Sequence, residues 1–177
     1  MRNFFYLLLL GVVLGTIALV VRSGIFARQN PGRPINSAMR EAMDANQPQL
    51  SGADALLIDQ TYGGARKTKS GLRYVVRSPG TGDTMPGVGN EVIVHYDGRL
   101  LDGTPFDSSY KRGAPFTFRL GAGAVIRGWD EAFETMKKGE KRTLIIPHWL
   151  AYGDKGSPPT IPGKATLVFE VELLDWR

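Results

Sequence analysis

The chain has 177 residues, 42% apolar and 22% charged, enough for one folded domain with extensions and too apolar for wholesale disorder. It has no cysteine, which excludes disulfide frameworks, thiolate nucleophiles and thiolate metal sites. The net charge of +5 is uneven: residues 1–69 hold eight Lys/Arg against four Asp/Glu, while the remainder is nearly neutral, unlike the folded domain of a nucleic-acid binder.

The first element is an uncharged run from Phe4 to Val21, FFYLLLLGVVLGTIALVV, bracketed by Arg2 and Arg22. It approaches the roughly 20 apolar residues that cross a bilayer. Residues 1–22 therefore read as a single-pass transmembrane anchor, entering the membrane through residues 4–21. The alternative is a cleaved signal segment, whose apolar stretch is ordinarily shorter and followed by a small-x-small site. The nearest such site, Ile25-Phe26-Ala27, has a bulky residue two before Ala27. The side of the membrane is contested. The arginines after the span argue for a cytoplasmic domain, whereas a short N-terminal tail argues for export, and an extracytoplasmic domain is the expectation.

Residues 23–69 read as a linker. Gly, Pro and Arg make 23–35 irregular. Ser37 to Asn46 and Ala53 to Tyr62 each fit a short helix, the second ended by Gly63-Gly64. Neither is long enough to persist alone in water.

From residue 70 to 177 the pattern changes to short runs between turn signals. Strands are expected over 72–77, 91–99, 115–120, 141–146 and 165–174, with a hairpin signal at Asp102-Gly103. One helix is expected from Trp129 to Lys138, acidic in its first turn, basic in its last, and stopped by Gly139. Trp129, Phe133 and Met136 share one of its faces. The fold class is α+β, an antiparallel sheet packed on one short helix.

No nucleophile elbow, phosphate loop, zinc-binding HExxH or Gly-rich dinucleotide motif occurs, and the only two histidines are His95 and His148. No metal and no cofactor is expected. What stands out is a series of aromatic and aliphatic residues near loops and strand ends: Tyr96, Phe106, Phe116, Val125, Ile126, Trp129, Tyr152, Ile161 and Phe169. Any one alone is best read as core. Their settings differ from core, because Val125 to Trp129 is a loop entering a helix and Tyr152 opens a Gly/Pro loop.

These residues carry a resemblance. Val94-His95-Tyr96, Phe106-Asp107-Ser108-Ser109, Val125-Ile126-Arg127-Gly128-Trp129, Ala151-Tyr152-Gly153, Ile161-Pro162 and Ala165 to Leu173 occur in an order similar to the FK506-binding-protein (FKBP) class of peptidyl-prolyl cis/trans isomerases. The resemblance spans about 70–177. It implies a five- or six-stranded antiparallel sheet curved around one helix, action on proline-containing polypeptides, and binding of FK506- and rapamycin-type macrolides. It makes Trp129 the pocket floor, and Tyr96, Phe106, Phe116, Val125, Ile126, Ile161 and Phe169 its walls. Asp107 and Tyr152 become the polar groups, Arg112 the partner of Asp107, and the Ile126 N–H a hydrogen-bond donor to a ligand carbonyl. Two positions depart: Ala124 stands where some members have Glu, and Ser157 where many have His. The altered flap keeps open a second reading, a tethered chaperone or binding module with weak catalysis.

Overall fold

The computed structural model describes residues 48–177. The expected anchor at 1–22, the irregular stretch and the helix at 37–46 lie outside the described residues. Among those described, no helix is long and apolar enough to cross a membrane.

The described chain begins with helix α1 (Gly52–Tyr62), where the expected second linker helix falls. The Ser51 hydroxyl caps it by accepting the Asp54 N–H at 3.0 Å. Strands follow at β1 (Arg66–Lys67), β2 (Arg73–Ser78), β3 (Glu91–Leu100), β4 (Pro105–Ser108) and β5 (Phe116–Arg119). Helix α2 (Arg127–Phe133), strand β6 (Lys141–Ile146), a 3-10 turn (His148–Leu150) and strand β7 (Leu167–Trp176) complete the order.

All pairings are antiparallel, in the order β1-β2-β6-β7-β3-β4, with β5 also on β3. Seven strands replace the expected five or six. Two-residue β1 adds an edge, and ten-residue β3 is long enough to pair β5 along its first half and β4 along its second. Burial alternates along β3, so Val92, Val94, Tyr96 and Gly98 face inward. They meet Phe118, Leu144, Phe169, Val171 and Leu173 in one core, which α2 closes with Trp129, Ala132 and Phe133.

Helix α2 is shorter than its charge pattern suggests, ending at Phe133 rather than Lys138. The carbonyls and amides beyond it find other partners. The Thr135 hydroxyl bonds back to the Ala132 carbonyl at 2.9 Å, the Arg142 guanidinium donates to the Thr135 carbonyl at 2.6 Å, and the Glu140 carboxylate accepts the Lys137 N–H at 2.9 Å. Gly139 adopts the left-handed conformation (φ 76°), but its N–H goes to Leu173 of β7 at 2.7 Å. It turns the chain into β6 instead of capping a helix.

Helix α1 packs on the outside of this sheet through Ile58, which is only 1% exposed. The buried Thr166 hydroxyl donates to Asp54 at 2.9 Å, and Arg73 pairs with Asp59 at 2.9 Å.

Candidate functional site: an aromatic cavity at the start of helix α2

A cavity of about 370 Å³ opens where the C-terminal half of β3, β4, the loop into α2 and the loop after the 3-10 turn converge. Trp129 lies at its base, 4% exposed, in the first turn of α2. Its indole meets four rings edge-on, those of Tyr96, Phe169, Phe133 and Phe116 at 4.9, 5.2, 5.5 and 6.0 Å between centroids. Such edge-to-face contacts hold aromatic planes in fixed orientations. The indole N–H is buried with no hydrogen-bond acceptor among the described residues.

The walls come from different elements. Strand β3 supplies Tyr96, β4 Phe106 and Asp107, β5 Phe116, and β7 Phe169. Phe106 and Phe169 stand edge to face at 5.4 Å. Gly98, opposite Phe169 in the ladder, makes this possible: a Cβ there would sit 2.8 Å from Phe169 and 2.9 Å from Phe106. Ala124, Val125 and Ile126 line the opposite side. Ile126 is extended (φ −61°, ψ 146°) as the cap of α2, and its carbonyl accepts the Trp129 N–H at 2.9 Å. Its own N–H has no partner among the described residues, as expected for the first amides of a helix.

The polar side is a closed triad. The Tyr96 hydroxyl donates to Asp107 and accepts from Arg112 at 2.5 Å, and Arg112 pairs directly with Asp107. Asp107 is further held by the Ser108 N–H at 2.8 Å. Burial pushes the Tyr96 phenol above its ordinary range; the Arg112 hydrogen bond opposes this and Asp107 adds to it. The Tyr152 phenol is raised likewise, by burial and then by the charge of Asp107. Both are neutral hydroxyls across the physiological range.

Of the residues that the resemblance singled out, Tyr96, Phe106, Asp107, Arg112, Phe116, Val125, Ile126, Trp129, Tyr152 and Phe169 line this cavity together. Ile161 does not line it. It is 5% exposed in the adjoining core, and its backbone pairs with Ser157 at 2.8 and 3.0 Å to close the flap. Ala124, singled out only as a departure, lines the wall. Ser109, to which the resemblance gives no role, is part of the frame. Its buried hydroxyl accepts the Tyr96 N–H at 2.8 Å and donates to the Tyr96 carbonyl at 3.2 Å, pinning β3 behind the triad. His95 is a structural residue, bonded to Ser109 at 2.9 Å and stacked on Tyr110 at 4.4 Å. Among the described residues, no group of three or more His, Asp or Glu is placed to hold a metal ion.

Residues 82–174 match the family model of the FKBP-type peptidyl-prolyl cis-trans isomerases. FK506-binding protein 1A of Aspergillus fumigatus is 50% identical over 104 residues, which are 59% of this chain and 93% of that protein. Peptidyl-prolyl cis-trans isomerase FKBP15-2 of Arabidopsis thaliana is 54% identical over 96 residues, 54% of this chain and 59% of the relative. Peptidyl-prolyl cis-trans isomerase FKBP2 of Homo sapiens is 58% identical over 86 residues, 49% of this chain and 61% of the relative. The matched region therefore spans about six-tenths of the length of the last two relatives.

Proposed function

The chain belongs to the FKBP-type peptidyl-prolyl cis-trans isomerase family, and from that premise we propose that it accelerates rotation about X–Pro bonds of polypeptides by holding the proline in the cavity above Trp129. The observation that carries this reading is the convergence of ten expected residues on one apolar cavity with a single polar edge.

Rotation about an X–Pro bond meets a barrier of roughly 18–20 kcal/mol from amide resonance. The planar amide is the more dipolar form, so water stabilises it over the twisted one. In the cavity the prolyl ring lies on the Trp129 indole between Phe169, Phe106 and Tyr96, out of water. The unpartnered Ile126 N–H holds a substrate carbonyl and fixes one side of the bond. Asp107, oriented by Tyr96, Arg112 and Ser108, faces the rotating carbonyl, and the neutral Tyr152 hydroxyl donates to the twisted form. The same ring-and-carbonyl geometry accommodates FK506- and rapamycin-type macrolides.

The proposal extends to the whole chain. Residues 70–177 act as the isomerase domain, 23–69 as its linker and 1–22 as a single-pass anchor, with the domain on the extracytoplasmic side. The uncharged run from Phe4 to Val21 and the basic residues flanking it support the tether.

Proline-limited refolding of a reporter protein tests the activity. Residues 48–177, a compact unit with its own core, accelerate it, and Asp107→Val removes most of the acceleration. An inactive parent fragment overturns the reading. Activity unchanged in Asp107→Val while aggregation is still suppressed favours the chaperone alternative instead. A C-terminal topology reporter decides the membrane side.

A further inference from the structure

Residues 68–72, outside the stretch that matches the family model, touch two elements that carry cavity residues in or next to them, the 3-10 turn that precedes Tyr152 and helix α2 that bears Trp129. Trp149 lies in the 3-10 turn and donates its indole N–H to the Ser70 carbonyl at 2.8 Å. Its ring lies close against Gly71, which has φ +99°; a Cβ there would approach the ring to 2.8 Å. The Ser70 hydroxyl donates to Glu131 of α2 at 2.6 Å, two residues beyond Trp129, and bonds Thr68 at 2.8 Å. The 3-10 turn in turn dictates where Tyr152 stands. The His148 carbonyl accepts the N–H groups of Ala151 at 3.0 Å and Gly153 at 2.8 Å, the residues on either side of Tyr152.

We propose that Trp149 and Ser70 are positioning residues of the isomerase site, through which the 68–72 turn clamps the flap base bearing Tyr152 to the helix bearing Trp129. The clamp rests on the isomerase reading for its consequence, but the geometry it enforces is independent of turnover. A hydroxyl acts on a twisted amide only within hydrogen-bond reach, and small displacements of such a group weaken it strongly. Phenylalanine at 149 keeps a ring against Gly71 and loses only the N–H that fastens the flap base. Alanine at 70 keeps the carbonyl and frees Glu131.

The test uses the purified full chain with 13C-labelled tyrosine and 15N-labelled tryptophan. The Tyr152 ring resonance is assigned by its loss in Tyr152→Phe. In Trp149→Phe that resonance shifts and broadens, and kcat for an X–Pro peptide falls several-fold with KM less affected, as expected when a contact made to the twisted amide is weakened. In the Tyr152→Phe background the same substitution adds little. In Ser70→Ala, an exposed position that keeps the fold, the Trp129 indole resonance shifts. An unmoved Tyr152 resonance in Trp149→Phe overturns the clamp, as does an equal activity loss in both backgrounds. Should Trp149→Phe fail to fold, an unmoved Trp129 resonance in Ser70→Ala overturns it alone. A parent chain without turnover defeats the isomerase reading, and the two resonances still decide the clamp.

Discussion

Asp107 illustrates how one carboxylate is prepared for its site. Three groups hold it, the Tyr96 hydroxyl, the Arg112 guanidinium and the Ser108 N–H. Asp107 is partly exposed, so its removal leaves the core intact while the cavity loses its polar edge. We expect Asp107→Val to lower kcat/KM by tenfold or more, a transition-state loss of at least ~1.4 kcal/mol, with an unchanged urea midpoint. Phe169 differs, being 3% exposed and shared between cavity and core. Phe169→Ala should cost about 3–5 kcal/mol of stability as well as activity, read by urea denaturation beside turnover. The phenols predict the alkaline limit. Their folded values lie above the ordinary one, so each contributes stability fully present below about pH 10 and lost as pH rises through the folded value. Unfolding midpoints should therefore fall above about pH 10. Tyr96→Phe should lessen that fall.

At the scale of elements, α2 is terminated by its partners. Arg142 and Glu140 form a buried pair at 2.6 Å, with 6% and 7% of their side chains exposed, and Arg142 also holds Thr135 and covers the Tyr74 ring at 4.6 Å. Removing one member strands the other charge in the core. Arg142→Met should cost about 3–5 kcal/mol, measured by chemical denaturation, whereas Lys138→Ala, expected from sequence to weaken a helix end, should change stability by under ~1 kcal/mol. The strands were legible because β3 and β7 alternate burial, and alternation survives in the residue order. The end of α2 was not, since it depends on Arg142, Glu140 and Leu173, residues at least seven positions away.

For the whole molecule, the sheet and α2 form the pocket, while α1 covers the outside of the sheet through Ile58, Asp54 and Asp59. Ile58→Ala should lower stability by about 2–5 kcal/mol and leave KM near its parent value, since Ile58 does not line the cavity. Deleting residues 1–47 should leave kcat/KM unchanged and abolish sedimentation with membranes.

The residue order by itself supplied the candidate side chains, through the family resemblance that Phe106-Asp107, Val125 to Trp129 and Tyr152 carry. It also determined the α+β class, because strand and helix periods are local properties of the chain. Only the tertiary structure decided which of these residues share the cavity. Ile161 turns into the core because its backbone closes the flap on Ser157, and Ala124 takes a place on the wall. It likewise decided that Gly98 must lack a side chain, that Ser109 must hold Tyr96 from behind, and that Trp149 must bear on Gly71. The last three depend on contacts between residues distant in the chain, Gly98 with Phe169, Ser109 with Tyr96 and Trp149 with Gly71, which exist only once the sheet has brought its strands together.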